Sequence, residues 1–122
     1  MPVIIDCPPG ASCVVVQSIE ECDYCILVTE PTPFGLHDID IAVKLVRKMD
    51  IPFGVVINKA APNVSMINEF CHKEGIDILM ELPFSREIAQ AYSKGILPVG
   101  LNGRWKDEFK TLYEKVKRGA SR

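Results

Sequence analysis

Four short runs of consecutive apolar residues recur along the chain, and each is flanked by polar or turn-forming residues. Val and Ile dominate these runs, and the apolar residues follow one another without alternating with polar ones. This pattern is typical of strands in a parallel sheet that helices cover on both faces. The runs predict strands over residues 3–5, 25–30, 53–58 and 76–81.

Between and after the runs, apolar residues recur every three or four positions, which is the spacing of one face of a helix. Residues 36–49 show this spacing, and Asn63 and Ser85 are placed to cap two further helices, the first of which would stop at Gly75. A last stripe consists of Trp105, Phe109, Leu112 and Val116. Alternating strands and helices predict one three-layer α/β domain with a parallel sheet over residues 1–122.

The composition excludes several classes of protein. A chain of 122 residues with 48% hydrophobic and 25% charged residues is typical of one soluble globular domain. A net charge of −2 argues against a nucleic-acid partner, because binding the phosphate backbone requires a basic face. No apolar run is long enough to span a membrane, and the first residues do not have the pattern of a signal peptide. We therefore expect a cytoplasmic protein.

The first predicted strand ends in a segment suited to binding ions. Open parallel sheets bind ligands beyond the carboxyl ends of their strands. Asp6 follows the first run, and its carboxylate suits a hard cation such as Mg²⁺, usually through a water molecule. Gly10 would allow a backbone N–H to approach an oxyanion closely. The alternative is that Asp6 only caps a loop.

The other three strand ends carry chemistry of a different kind. Glu30 opens a loop that two prolines and a glycine make rigid. The third strand ends at Asn58 and Lys59, and the Asn58 side chain can read an adenine edge with its amide donor and its carbonyl acceptor. Pro83 and Phe84 end the fourth run and offer a flat apolar wall.

Four segments together resemble a known family. Residues 6–13 (DCPPGASC) resemble the second switch segment of MinD/Mrp/ParA-like P-loop ATPases, most closely the MinD-like ATPases with an inserted ferredoxin domain. Residues 27–38 match the segment that follows in that group. Residues 56–59 resemble its base-recognition strand, and residues 82–85 resemble its late adenine-side loop. The resemblance implies a P-loop-NTPase-like, Rossmann-like fold.

The sequence departs from this family at the phosphate-binding loop. In the family this loop precedes the Asp-Pro-Pro-Gly segment, and no Gly-x-x-x-x-Gly-Lys-[Ser/Thr] motif occurs in the 122 residues. The ferredoxin insert is missing as well. We therefore interpret the chain as the carboxyl-terminal half of such an ATPase, truncated or degenerate, without the first strand and the phosphate loop. It is a natural short gene product, the product of a misassigned start site, or a fragment.

The missing loop shapes the functional expectation. Phosphoryl transfer depends on positioning and charge neutralisation, which the phosphate cradle and its lysine mostly supply. We expect ATP and Mg²⁺ to bind weakly or not at all to the isolated chain, and we expect little or no ATP hydrolysis. Whether the chain is an enzyme stays open. A binding or assembly role linked to iron–sulfur or ferredoxin ATPases is the leading hypothesis. The candidate cofactor-binding residues are Asp6, which would also hold Mg²⁺, Pro9, Gly10, Glu30, Asn58, Lys59, Pro83 and Phe84.

The cysteines offer a second chemistry. Cys22 and Cys25 form a C-x-x-C pair, and with Cys7 and Cys13 they would supply four thiolate ligands for zinc or an iron–sulfur cluster. A redox pair is another possibility. We favour ordinary core thiols, and so we do not expect a cluster or zinc.

Two alternative functions and two kinds of partner remain open. The first alternative to the leading hypothesis is a structural or regulatory partner that never binds nucleotide, and the second is a small Cys-based metal or redox protein. Its partner would be a second copy or a full-length MinD-like, ferredoxin-containing ATPase.

In the family, the phosphate-loop strand lies between the first two strands predicted here. We expect residues 3–5 to close this gap by pairing directly with residues 26–29, in preference to pairing between two copies.

Overall fold

The computed structural model describes residues 3–8, 13–60, 65–83 and 103–120. Within these ranges, seven helices and strands follow one another along the chain. They are α1 (Cys13–Ile19), β1 (Cys25–Thr29), α2 (Pro33–Lys48), β2 (Phe53–Ala60), α3 (Ser65–Glu74), β3 (Ile78–Pro83) and α4 (Gly103–Ala120). No helix in these ranges has the length and apolarity that crossing a membrane requires.

The three strands form one parallel sheet in the order β1-β2-β3. Leu27 lies opposite Val55 in the first pair, and Val56 lies opposite Met80 in the second. The register of the second pair shifts between Ile57 and Ala60. These strands confirm the predicted parallel α/β class, since three of the four apolar runs pair as expected.

The central strand β2 contributes to a hydrophobic core on each face of the sheet. Successive side chains of a strand point to opposite faces. Val55 and Ile57 pack on one face with residues of α2 and α3, and both are completely buried. On this face the helices contribute Ile39, Val43, Ile67 and Cys71. Helix α1 joins the same side of the sheet, where Ile19 packs against Val46 of α2.

Helix α4 covers the opposite face. Val56, Leu79 and Met80 are buried there against the apolar stripe of α4. The stripe consists of Phe109, Leu112 and Val116, as predicted, while the side chain of Trp105 lies outside the described residues. Lys115 Nζ also donates a hydrogen bond of 2.9 Å to the Leu79 carbonyl. The sheet therefore lies between two helical layers.

The prediction of a strand over residues 3–5 is wrong. These residues form no strand, and Val3, Ile4 and Ile5 are 83%, 93% and 52% exposed. The expected direct pairing with β1 is also wrong, because within the described residues β1 pairs only with β2. Three residues form few ladder hydrogen bonds, which do not offset the conformational entropy lost on ordering the segment. The predicted caps Asn63 and Ser85 lie outside the described residues.

Helices α2 and α3 end in the same backbone motif. In α3, Ile76 N–H donates to the Cys71 carbonyl and Gly75 N–H donates to the His72 carbonyl, and Gly75 has a φ of 68°. These are the two hydrogen bonds of a Schellman motif, which confirms the predicted stop. In α2 the same bonds join residues 51 to 46 and 50 to 47, with Asp50 at a φ of 58°. An L-residue with a side chain therefore occupies a left-handed position.

We predict that Asp50→Gly raises the free energy of unfolding by about 1 kcal/mol, because it removes the steric cost of the left-handed conformation and a carboxylate at a helix C-terminus. Urea denaturation followed by circular dichroism measures the change. The matched control is Gly75→Asp, which places an aspartate at the equivalent position of α3 and should destabilise by a similar amount. Equal stability of Asp50→Gly and the native chain would contradict the prediction.

Candidate functional site

The turn from β1 into α2 is built by the Thr-Pro pair at its centre. Thr32 adopts an extended conformation at the N-cap, and its Oγ1 accepts a hydrogen bond of 2.9 Å from Gly35 N–H. Pro33 occupies the first helical position, where its fixed φ suits the helix and its missing N–H costs nothing. Leu36 N–H continues the turn by donating to the Thr32 carbonyl at 2.9 Å. The local sequence therefore sets where α2 begins.

Gly35 lets this turn fold back onto the end of β1. A Cβ at this position would lie 2.0 Å from the Glu30 carbonyl oxygen and 3.0 Å from Thr29 Oγ1. Thr29, which is 6% exposed, donates a hydrogen bond of 3.1 Å from Oγ1 to the Gly35 carbonyl. Only glycine tolerates such a close approach of two backbone segments. The turn is thus held firmly against the carboxyl end of β1.

The end of β2 has a strained backbone. Lys59 adopts a φ of 53°, and its N–H donates a hydrogen bond of 3.0 Å to Oδ1 of Asn58. Both residues lie within the register shift between Ile57 and Ala60. Irregularities of this kind redirect side chains at strand ends, and they persist where the surrounding structure imposes them. One lone pair of the Asn58 amide oxygen is therefore used by the chain itself.

An ion pair joins the ends of β1 and β2. Lys59 Nζ lies 3.3 Å from Oε1 of Glu30, with the two side chains 57% and 47% exposed. An exposed pair of this kind contributes little to stability and is screened by salt. Its lysine is therefore able to exchange the carboxylate for an anionic ligand. The structure brings together three of the predicted site residues: Glu30, Asn58 and Lys59.

Two of the remaining predicted site residues, Asp6 and Pro83, lie in the described part of the chain. Asp6 is exposed and follows a segment without strand structure, so it is not held at a strand tip as predicted. Pro83 ends β3 and is half-buried. Pro9, Gly10 and Phe84 lie outside the described residues.

Three of the cysteines pack around one hydrophobic cluster. Cys7, Cys22 and Cys25 pack against buried side chains of α1, of α2 and of the loop between α2 and β2, whereas Cys13 is exposed at the start of α1. Burial, with the nearby thiols of Cys7 and Cys22 adding to it, raises the pKa of Cys25 to about 11. Burial also raises the pKa of Cys22, whose Sγ donates to the Ser18 carbonyl at 3.6 Å. Both thiols are therefore protonated at neutral pH, which makes them weak nucleophiles.

A metal site does not emerge from this packing. Across residues 3–8, 13–60, 65–83 and 103–120, no three His, Cys, Asp or Glu side chains are grouped so that they could hold a metal ion. The four cysteines considered as ligands are not gathered there into one set, because Cys13 lies exposed on α1. Cys22 and Cys25 are each partly buried.

Two features of the site escaped the sequence analysis. The role of Thr32 as a helix cap could have been predicted from the sequence, since a threonine followed by proline is typical of a helix start. The ion pair between Glu30 and Lys59 has no such signal, because its partners lie far apart in the sequence and meet only when β1 and β2 pair.

The chain is similar to several known proteins. No family model matches the sequence. An uncharacterized protein of Methanocaldococcus jannaschii is 33% identical over 92 residues, which cover 75% of this chain and 31% of that protein. An iron-sulfur cluster carrier protein of Pyrococcus abyssi is 32% identical over 117 residues, covering 83% and 39%. The MinD cell division protein of Aquifex aeolicus superposes with a TM-score of 0.70 at 15% identity, covering 88% of this chain and 50% of that chain.

These similarities define a P-loop ATPase fold of the MinD type. The chain belongs to the MinD-like family, which includes iron–sulfur cluster carrier proteins. It spans about a third to two fifths of the length of the curated relatives described here.

We predict that Gly35→Ala destabilises the chain by about 2 kcal/mol, because its Cβ would collide with the Glu30 carbonyl and force the turn away from β1. Thermal or urea denaturation measures the loss. His37→Ala, an exposed substitution on the same helix, is the control and should leave stability nearly unchanged. A Gly35→Ala variant as stable as the control would show that the turn is free to relax.

We also predict that iodoacetamide alkylates Cys13 much faster than Cys25 in the native chain at pH 8. Cys13 is exposed, whereas Cys25 is partly buried and its raised pKa keeps the thiol protonated up to about pH 11. Peptide mapping by mass spectrometry measures both rates. In denaturant the rates should converge, and equal rates in the native state would contradict the prediction.

Proposed function

We propose that this chain is a nucleotide-binding-type module of a MinD-like ATPase that works through binding or assembly, and that it hydrolyses little or no ATP by itself. The observation that carries the proposal is the meeting of Glu30, Asn58 and Lys59 at the carboxyl ends of β1 and β2. Ligands bind at this edge in open parallel sheets. The site thus has the position, a cation and an amide suited to an adenine nucleotide.

Lys59 is the residue proposed to recognise negative charge. Its side chain is more than half exposed, and the carboxylate of Glu30 with which it pairs is 47% exposed. A phosphate oxygen would compete with Glu30 for the ammonium group. Asn58 would contribute its amide donors, while its oxygen remains bonded to the backbone of Lys59.

Hydrolysis requires more than this site supplies. The transferred phosphoryl group needs several positioned donors and cations around it. The described strand ends supply one lysine that is already paired with a carboxylate. Mg²⁺, which the family resemblance implies, has Asp6 as its predicted ligand, and this carboxylate is exposed in an irregular segment. One such group does not form a Mg²⁺ site.

The assembly role is supported by the relatives. Several are named iron-sulfur cluster carrier proteins, and this chain matches about two fifths of their length. We propose that the chain acts in the same type of system, with a cluster as cargo of the assembly and not as a cofactor of the described cysteines.

We predict that ATP binds to the chain with a Kd weaker than about 100 μM. Lys59→Met should weaken binding about threefold, because it removes an exposed charge contact, and Glu30→Gln should strengthen it by a similar factor, because it removes the competing carboxylate. Titration followed by NMR chemical shifts measures these changes. Lys44→Met is the matched control, since Lys44 forms a comparable exposed pair with Asp40 on α2.

Three outcomes would contradict the proposal. Binding that Lys59→Met leaves unchanged would place the nucleotide elsewhere, and shifts that are absent at millimolar ATP would favour the partner that never binds nucleotide. Mg²⁺-dependent turnover that Asp6→Ala abolishes would show that the chain is an active enzyme.

A further inference from the structure

Cys7 is the one residue of the segment 3–8 that is shielded from solvent. It is partly buried, whereas the other five residues of this segment are exposed. The Cys7 side chain packs against the hydrophobic cluster formed by Ile19, Val46 and Ile51. A cysteine, and no larger apolar residue, therefore holds this irregular segment against the core.

The thiols of Cys22 and Cys25 belong to the same cluster. Burial raises the pKa of Cys25 most, the neighbouring thiol of Cys7 has the next largest effect, and the thiol of Cys22 has a smaller one. Because electrostatic effects of this kind weaken with distance, Cys7 lies near Cys25 although the two are far apart in the sequence. The fold thus brings together two thiols that no sequence motif connects.

Cys25 is a better partner for Cys7 than Cys22 is. The Sγ atom of Cys22 donates a hydrogen bond of 3.6 Å to the Ser18 carbonyl, which directs it back along α1. The Sγ atom of Cys7 also has a carbonyl partner, that of Ile5, but at the longer distance of 3.9 Å and within a segment without helix or strand structure. A movement of this segment changes the position of Cys7 without disturbing the sheet.

We propose that Cys7 and Cys25 form a reversible disulfide bond, which joins the segment 3–8 to the start of β1. A disulfide needs two sulfur atoms about 2 Å apart on residues whose Cα atoms lie within about 7 Å of each other. Two side chains that pack on one small cluster reach this geometry with a limited shift of the irregular segment. A metal ion would need three or more grouped ligands, and the described residues do not offer such a group.

The bond forms by exchange with a small disulfide such as oxidised glutathione. The Cys7 thiolate attacks one sulfur of the small disulfide, so that a mixed disulfide forms and one small thiolate leaves. Cys25 then gives up its proton to water, and its sulfur attacks the Cys7 sulfur and expels the second small thiolate. Both released thiolates take up protons. The two cysteines are oxidised, the small disulfide is reduced to two thiols, and excess thiol reverses the exchange.

The bond would also fix the position of Asp6, the neighbour of Cys7. Cys25 is the first residue of β1, and Glu30 follows its last residue. Asp6 would therefore be held at the amino end of β1, whereas Glu30 and Lys59 meet at the carboxyl end. That oxidation keeps this carboxylate away from a nucleotide is a consequence that rests on the proposed function, but the bond itself does not depend on it.

Oxidation of the full chain in glutathione buffers of graded redox potential tests the proposal. After acid quenching and alkylation of the remaining thiols, cleavage after Asp23 separates the peptides that contain Cys22 and Cys25. We expect mass spectrometry with fragmentation to find Cys7 linked to Cys25. Because the native packing brings these thiols together, the equilibrium constant of the bond should be at least about tenfold higher in the native chain than in denaturant. ATP is absent, so the result does not depend on nucleotide binding.

Four variants separate the possible pairings. Cys7→Ser and Cys25→Ser should each abolish the bond, whereas Cys13→Ser and Cys22→Ser should leave its equilibrium constant unchanged. A bond between Cys22 and Cys25, bonds between two chains, or glutathione adducts on Cys7 and Cys25 without a bond between them would overturn the proposal. Equal equilibrium constants in the native and denatured chain would do the same. The mapping on the native sequence stands even where a variant fails to fold, which circular dichroism of the reduced variants reveals.

Discussion

The structure depends on the burial of β2 on both faces and its pairing along both edges. Val55 and Ile57 are completely buried on one side, and Val56 is buried on the other. β1 and β3 pair with its two edges, and α2, α3 and α4 pack against its side chains. Every other element is therefore positioned relative to this strand. Leaving its apolar side chains exposed or its backbone groups unpaired would cost free energy. This cost explains why β2 lies at the centre of the sheet, with helices on both faces.

The candidate site follows directly from that central strand. β2 holds β1 in register, so its strained end at Asn58 and Lys59 lies beside the turn that begins at Glu30. Thr29, Thr32 and Gly35 then hold this turn against the strand. Glu30 and Lys59 are exposed and Asn58 is partly exposed, but the backbone that carries them is anchored in the core. A rigid backbone with exchangeable polar side chains is suited to binding a charged ligand.

The two ends of the sheet differ in how α4 covers them. α4 covers β2 and β3 and hydrogen-bonds the backbone of β3 through Lys115. On β1, Ile26 and Val28 are 42% and 64% exposed. In the described part of the chain, the helical layer formed by α4 therefore covers β2 and β3 more completely than β1.

The sequence by itself determined the parallel class, three strands, the α4 stripe and the stop at Gly75, because each depends on a local pattern of burial or on one backbone conformation. It also identified Glu30, Asn58 and Lys59 through their places at strand ends. It could not show that residues 3–5 remain outside the sheet, since a short apolar run has the same pattern whether or not it pairs. Only the tertiary structure decided the ion pair between Glu30 and Lys59 and the exposure of Ile26 and Val28 on β1. Both depend on which elements lie next to one another in space, and distant pairing leaves no periodic signal in the chain.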